Sequence, residues 1–129
     1  MIWYIALGSA LGGVLRYLMG GWVQRLAGGG FPAGTLAVNI AGSFLLGLFY
    51  RYAAESAVAT PEVRAFLTIG LCGGFTTFST FSYETFRMLE DGELARAAGY
   101  IAVSVAVSLA ATLLGVVAGR ELLALRRVA

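Results

Sequence analysis

The sequence has no histidine and no lysine, and its single cysteine is Cys72. Without histidine the chain lacks imidazole, the commonest metal ligand and the usual general base near neutral pH. One cysteine cannot form a disulfide within the chain, so it indicates no redox compartment. Only 12% of the 129 residues are charged and the net charge is +2. Because the basic residues form no long run, we do not expect nucleic acid as a partner.

Hydrophobic residues, by contrast, make up 59% of the chain, and the mean hydropathy is +0.82. Soluble domains are about 45–50% apolar and about 25% charged, so neither an ordinary soluble globule nor a disordered chain is expected. A spanning helix needs about 20 residues. We therefore predict an all-α membrane protein, surrounded by lipid, with one domain at 1–129 and four transmembrane helices near 2–23, 33–50, 63–89 and 94–123.

Short polar or glycine-rich segments separate these spans. Gln24–Pro32 contains three glycines and a proline and is predicted to be a loop, and Glu90–Glu93 is predicted to be a turn. Thr60 followed by Pro61 is typical of a helix N-cap and first helical residue. Met1–Tyr4 carries no charged side chain, so we expect the first span to be retained rather than cleaved as a signal.

The arginines give a weak signal for orientation. Four spans place five arginines on the side of the chain termini and three on the other, with Arg16 inside a span. The first group is Arg51, Arg64, Arg120, Arg126 and Arg127, and the second is Arg25, Arg87 and Arg96. Two interpretations remain open: both ends are cytoplasmic, or the chain inserts in both orientations and forms an antiparallel dimer.

Polar residues inside the third span predict a broken helix. Gly73 and Gly74 precede a run rich in threonine and serine that ends at Ser82. Glycine and β-branched residues weaken a helix. Backbone groups freed at membrane depth must face protein or a cavity, where carbonyls suit a cation and helix N-termini suit an anion. The alternative is a kink whose hydroxyls only satisfy the local backbone.

Two side-chain patterns have the spacing of an ion path. Phe75, Phe78 and Phe81 recur every three residues, and the positive edges of such rings can face an anion. Hydroxyls recur every four residues along the fourth span, where they would offer neutral donors that do not trap an anion; they belong to Tyr100, Ser104, Ser108 and Thr112. Helix packing or contact with lipid is the alternative explanation for both patterns.

Three further polar residues lie within the predicted spans. Asn39 either donates its amide to an ion or bonds to a neighbouring helix. Arg16 and Glu84 are the ionisable residues well inside spans, and mutual or interfacial pairing is the simple explanation for both. The alternative, that Glu84 carries protons, is weakened by its position near the end of its span. An enzyme is not expected, since Ser79 and Ser82 have no histidine to activate them.

Three segments closely resemble the signatures of the Fluc (CrcB-type) fluoride channels: Gly70–Glu84, Gly34–Gly47 and Gly12–Tyr17. The resemblance covers essentially the whole chain. It implies an antiparallel, dual-topology homodimer with two fluoride pores, which exports fluoride passively across the cell (inner or plasma) membrane. It also implies a structural Na⁺ on the dimer axis, bound by the main-chain carbonyls of Gly73 and Thr76.

The resemblance further implies roles for individual side chains. The pore residues would be Asn39, Phe78, Phe81, Tyr100, Ser104 and Ser108. A pore or structural role is expected for Arg16, Thr77, Thr80, Glu84 and Thr112, of which Thr112 is included on periodicity alone. Two other functions are weighed against the channel. A four-helix drug/proton antiporter would need an acidic residue in the first span, and a non-transporting scaffold would leave the hydroxyl stripe unexplained.

Overall fold

The computed structural model describes residues 1–55 and 59–129, and the regular structure of these residues is helical. It contains four stretches long and apolar enough to cross a membrane, as predicted. Residues 56–58, part of the predicted connection between the second and third spans, lie outside the described residues. The elements are α1 (Ile2–Ala27), α2 (Ala33–Glu55), α3 (Pro61–Ala65), a π-helical segment (Phe66–Cys72), α4 (Gly73–Phe75), α5 (Phe78–Glu90) and α6 (Leu94–Val128).

Three helices continue beyond the apolar stretches that predicted them. α1 ends at Ala27, α2 reaches Glu55 and α6 reaches Val128. At about 1.5 Å per residue, the 35 residues of α6 exceed the roughly 30 Å of the hydrocarbon. Hydropathy detects only the apolar part of such a helix, and α6 continues to its arginine-rich end, where Arg127 pairs with Glu55 of α2.

The third hydrophobic segment, Pro61–Glu90, is the irregular one. Thr60 caps its start, since Thr60 Oγ1 accepts a hydrogen bond from Val63 N at 3.3 Å, and Pro61 is the first helical residue, which confirms the predicted cap. In the π-helical segment the Gly73 N–H reaches back five residues to the Thr68 carbonyl. The backbone becomes extended at Thr76 (ψ 159°) and Thr77 (ψ 109°), and α5 then begins.

The helix is therefore interrupted at the two threonines rather than at the glycines before them. Gly73 and Gly74 are both helical. A Cβ on Gly74 would lie 2.6 Å from the Ser9 carbonyl oxygen, and one on Gly70 would lie 2.8 Å from that of Ile5. These two glycines let the third segment pack directly against the backbone of α1, which a larger side chain would prevent.

A second small-residue contact joins α2 to α6. Gly47 lies against the backbone of Thr112, and Gly115 lies against that of Phe44. Large apolar side chains, by contrast, cover the outer faces, including Leu7, Leu18 and Leu113. Small residues inside and large apolar residues outside are the arrangement expected when the surrounding solvent is lipid.

Candidate functional site

The side chain of Asn39 holds the interruption between α4 and α5. Asn39 Oδ1 accepts a hydrogen bond from Thr77 N at 2.7 Å, and Asn39 Nδ2 donates to Thr77 O at 3.0 Å. One amide group thus satisfies both backbone groups of an extended, buried residue. In an unbroken helix the Thr77 N–H would donate to the Gly73 carbonyl, so this pairing releases that carbonyl. The sequence left two uses for Asn39, donation to an ion or a bond to a neighbouring segment, and in the structure Asn39 makes the second.

Arg16 of α1 also reaches the interruption. Arg16 Nη1 donates to Thr76 O at 3.4 Å, while Thr76 Oγ1 donates to the Cys72 carbonyl at 3.0 Å. Arg16 is half-buried, so its charge lies inside the protein beside the break. It contacts the threonine carbonyl and does not pair with Glu84, whose partners are on α2 and α6.

Thr77 and Thr80 form the N-cap of α5. Thr77 Oγ1 accepts from Thr80 N at 3.2 Å and donates to Thr80 Oγ1 at 3.0 Å. The capping bond satisfies a backbone N–H that the first turn of a helix cannot satisfy internally. In the structure these two hydroxyls therefore have a structural use.

A groove runs between α2, α5 and α6, and none of its lining residues in the described part of the chain is ionisable. Its volume is about 360 Å³. The rings of Phe78 and Phe81 are 5.6 Å apart and inclined at 49°. Ser104 Oγ is buried and has no hydrogen-bond partner among the residues that the structure describes. The polar and aromatic lining residues are Asn39, Ser43, Thr76, Phe78, Phe81, Ser104, Ser108 and Thr112.

Tyr100, at the start of the predicted hydroxyl stripe, is not among the residues that line this groove. Its side chain is fully buried and its hydroxyl donates to Glu84 Oε2 at 2.9 Å. Thr35 Oγ1 donates to the other carboxyl oxygen, Glu84 Oε1, at 2.5 Å. The Tyr100 ring lies 5.1 Å from the Phe81 ring in an edge-on arrangement. The stripe therefore has two parts, with Ser104, Ser108 and Thr112 in the groove and Tyr100 in a cluster with Thr35 and Glu84.

That cluster opens towards a larger cavity of about 840 Å³, which Thr35, Glu84, Thr77, Thr80 and Arg16 help to line. Phe81 contacts Tyr100 and also lines the groove, so the cluster and the groove adjoin through this ring. Polar groups thus extend from the open cavity, past Glu84 and Tyr100, to Ser104 and Ser108.

Two residues of α2 in this arrangement were missing from the predicted site. Thr35 binds Glu84, and Ser43 lines the groove. Both are four residues from Asn39, so a polar stripe at 35, 39 and 43 was present in the sequence. The sequence does not show that Thr35 bonds to Glu84, because the two residues are 49 positions apart.

The carbonyls of Gly73 and Thr76 fit the chemistry of an alkali cation. Gly73 is exposed at the break, and its carbonyl is released by the Asn39–Thr77 pairing. The Thr76 carbonyl accepts one long bond from Arg16 and keeps a second lone pair. Carbonyl oxygens are hard ligands that replace the hydration shell of such ions. Two carbonyls make only part of a coordination shell, and Arg16 places a positive charge beside one of them.

Comparison with known proteins gives consistent matches. The family model described as "CrcB-like protein, Camphor Resistance (CrcB)" matches residues 3–116. A protein of Geobacter metallireducens is 53% identical over 118 residues, which cover 92% of this chain and 95% of the relative. Proteins of Geotalea uraniireducens and Agrobacterium fabrum are each 51% identical and cover 92% of this chain, with 96% and 94% of their own lengths. All three relatives are named "Fluoride-specific ion channel FluC".

Proposed function

This chain belongs to the CrcB family of multi-pass membrane proteins, and we propose that it is a fluoride-selective channel that lets fluoride leave the cell passively. The names of its relatives at about 50% identity support the substrate. In this proposal HF enters the cell as a neutral acid, dissociates in the cytoplasm and leaves as fluoride through the cell membrane. The protein thereby lowers the cytoplasmic fluoride concentration without an energy source of its own.

The buried hydroxyl of Ser104 is the observation that carries the proposal. It has no hydrogen-bond partner among the described residues, and it lies in a groove without ionisable side chains. A buried donor left unpaired costs about 1–3 kcal/mol, and a small anion that accepts its hydrogen bond would remove that cost. Ser108 lies one helical turn further along the same groove. Neutral donors of this kind replace hydration without holding the ion as tightly as a fixed charge would.

Phe78 and Phe81 would present ring edges to the ion as it leaves these hydroxyls. Their tilted arrangement at 5.6 Å supports this role, because the positive edge of a ring attracts an anion. The second amide hydrogen of Asn39 would supply a further donor, and Thr112 extends the hydroxyl row. The Tyr100 hydroxyl donates its one hydrogen to Glu84, so Tyr100 would take part in the pore through that pair. Arg16, Thr77, Thr80 and Glu84 would act mainly by holding the break and the cluster in place.

We also propose that the channel is an antiparallel homodimer with a pore in each half. Phe78 is 79% exposed in the single chain, and Gly73 is exposed beside an interrupted backbone. Non-helical backbone at membrane depth must face protein or a water-filled cavity rather than lipid, and a second copy would keep lipid away from it. The five-to-three distribution of arginines supports insertion in both orientations, because it is too weak to impose one.

Such a dimer would supply the missing cation ligands. Gly73 and Thr76 of both copies would together offer four carbonyls on the dimer axis, which suits a structural Na⁺. Bound there, the ion would supply a fixed positive charge that holds the two breaks together. Arg16 beside Thr76 would keep its long bond to the outer lone pair of that carbonyl.

The proposal is tested by reconstituting the protein in liposomes loaded with potassium fluoride. A fluoride-selective electrode should record rapid efflux once a potassium ionophore removes the opposing voltage, while chloride-loaded liposomes should release nothing above the protein-free control. Equal release of both anions would contradict selectivity. If neither anion leaves, proton-driven uptake of a cationic dye would favour an antiporter, and its absence would favour a scaffold.

A further inference from the structure

The loop between α1 and α2 is held in one conformation by the side chain of Gln24. Gln24 Nε2 donates to the carbonyls of Gly28 at 3.2 Å and Phe31 at 2.9 Å, and Gln24 Oε1 accepts from Gly34 N at 3.0 Å. These three bonds fix the loop to the end of α1 and the start of α2. The position of Phe31 is therefore determined by the fold rather than by a free loop.

Phe31 extends the aromatic row of the proposed pore. Its ring centroid lies 5.4 Å from that of Tyr100, and the two planes meet at 76°. Tyr100 in turn contacts Phe81, and Phe81 contacts Phe78. Phe31 is thus at one end of a row of four consecutive rings, and it lines the same large cavity as Thr35 and Glu84.

A charged residue also contacts the Phe31 ring. The Arg96 guanidinium carbon lies 5.9 Å from the centroid of the Phe31 ring, in a cation–π arrangement. Arg96 Nη1 also donates to Glu93 Oε2 at 3.1 Å, which fixes the guanidinium at the start of α6. Phe31 therefore contacts both the buried Tyr100 ring and the Arg96 guanidinium.

We propose that Phe31 is a positioning residue for the fluoride path, which keeps the Tyr100 hydroxyl directed at Glu84. This inference rests on the proposed function. A tyrosine has two side-chain torsions, and in Tyr100 the surrounding core restricts both of them, with Phe31 contributing on the side of the open cavity. If the Phe31 ring is removed, the Tyr100 ring gains space on the side of the open cavity, and its hydroxyl leaves the Glu84 carboxylate.

The contact itself is tested without any flux measurement. The full-length protein in detergent, labelled with 3-fluorotyrosine, should give ¹⁹F NMR signals from six tyrosines, and the signal that Tyr100→Phe deletes belongs to Tyr100. Phe31→Ala should shift or broaden this signal by more than its linewidth. Phe86→Ala is the matched control, because Phe86 is 54% exposed and belongs to no aromatic pair described above; it should leave the signal unchanged.

The functional effect is tested by fluoride efflux from liposomes. Phe31→Ala should slow efflux about 2- to 12-fold, which corresponds to the strength of one edge-to-face aromatic contact, and Phe31→Tyr, which keeps the ring, should recover most of the rate. In a Tyr100→Phe background Phe31→Ala should have no further effect, because the hydroxyl that it positions is already absent. If the two substitutions instead acted by a general loss of folding, the double variant would show the product of the two single reductions in efflux. If Phe31→Ala does not yield folded protein, Phe31→Leu is used in its place, because leucine keeps most of the side-chain volume and removes the ring.

The outcomes separate the two hypotheses. An unchanged Tyr100 signal in Phe31→Ala would overturn the positioning role. So would efflux through Phe31→Ala that equals efflux through a wild type shown to conduct. Multiplying effects in the double variant would overturn it as well. If the wild type itself releases no fluoride, the proposed function fails, while the NMR comparison still decides whether Phe31 holds Tyr100.

Discussion

Replacing Asn39 by leucine tests whether one amide group holds the helix interruption together. The substitution keeps the volume of the side chain approximately and removes both bonds to Thr77. Thr77 is only 7% exposed, so neither water nor lipid can replace the lost partners easily. We expect Asn39→Leu to destabilise the fold and to loosen the backbone at Thr76 and Thr77.

The magnitude follows from the two bonds. Side-chain hydrogen bonds between membrane helices average about 0.6 kcal/mol each, which gives a lower limit of about 1.2 kcal/mol for the pair. Two buried backbone groups left unpaired cost about 1–3 kcal/mol each, which gives an upper limit of about 6 kcal/mol. The expected loss in the free energy of unfolding lies between these limits.

Unfolding in mixed micelles with an increasing fraction of SDS measures this loss, and amide hydrogen exchange at Thr77 reports the local effect. Ser43→Ala is the control, since Ser43 lies one turn away on α2 and lines the same groove. A loss for Asn39→Leu that is no greater than the loss for Ser43→Ala would refute the reasoning. So would slow exchange at the Thr77 amide in the leucine variant.

Three other predictions follow from the same structure. Phe78→Ile and Phe81→Ile should each reduce fluoride efflux while the proposed dimer persists on size-exclusion chromatography; unchanged efflux in both and in the double variant would remove these rings from the proposed mechanism. Prolonged dialysis against a bulky organic cation in place of Na⁺, on both sides of the liposome, should reduce efflux, and full activity afterwards would contradict the sodium site. Gly70→Ala should destabilise by about 1–3 kcal/mol, because its Cβ would lie 2.8 Å from a backbone oxygen of α1. Gly21→Ala, where the Cβ meets only the end of Arg25 at 3.6 Å, should not.

The helices and their caps were accessible from local patterns. Apolar runs longer than about 18 residues predict spans, and the Thr60–Pro61 pair predicts a cap that the structure contains. The ends of the helices were less accessible, since α2 and α6 continue through charged residues at which hydropathy falls. The π-helical segment had no signal in the sequence. Its geometry accompanies the close packing of Gly70 against α1, which is a contact between distant parts of the chain.

The candidate site shows the same division. Ser104, Ser108 and Thr112, which recur every four residues in the sequence, line one groove in the structure. The four-residue spacing does not predict that Tyr100 lies apart from these three residues. Tyr100 lies apart because its hydroxyl donates a hydrogen bond to Glu84 on α5. The amide of Asn39 had two possible uses in the sequence. In the structure α2 packs beside the break, and the Asn39 amide bonds to the backbone of Thr77.

The sequence alone therefore determined the class of this protein: a small, apolar, four-span chain whose polar residues lie inside its helices. That much follows from composition and spacing, because polar groups are costly in lipid whatever their position in the chain. Which polar group meets which was decided by the tertiary structure. The pairs Asn39–Thr77, Arg16–Thr76 and Thr35–Glu84 join residues 38, 60 and 49 positions apart. Such contacts depend on how closely the glycine faces let the helices approach, and no local pattern encodes that distance.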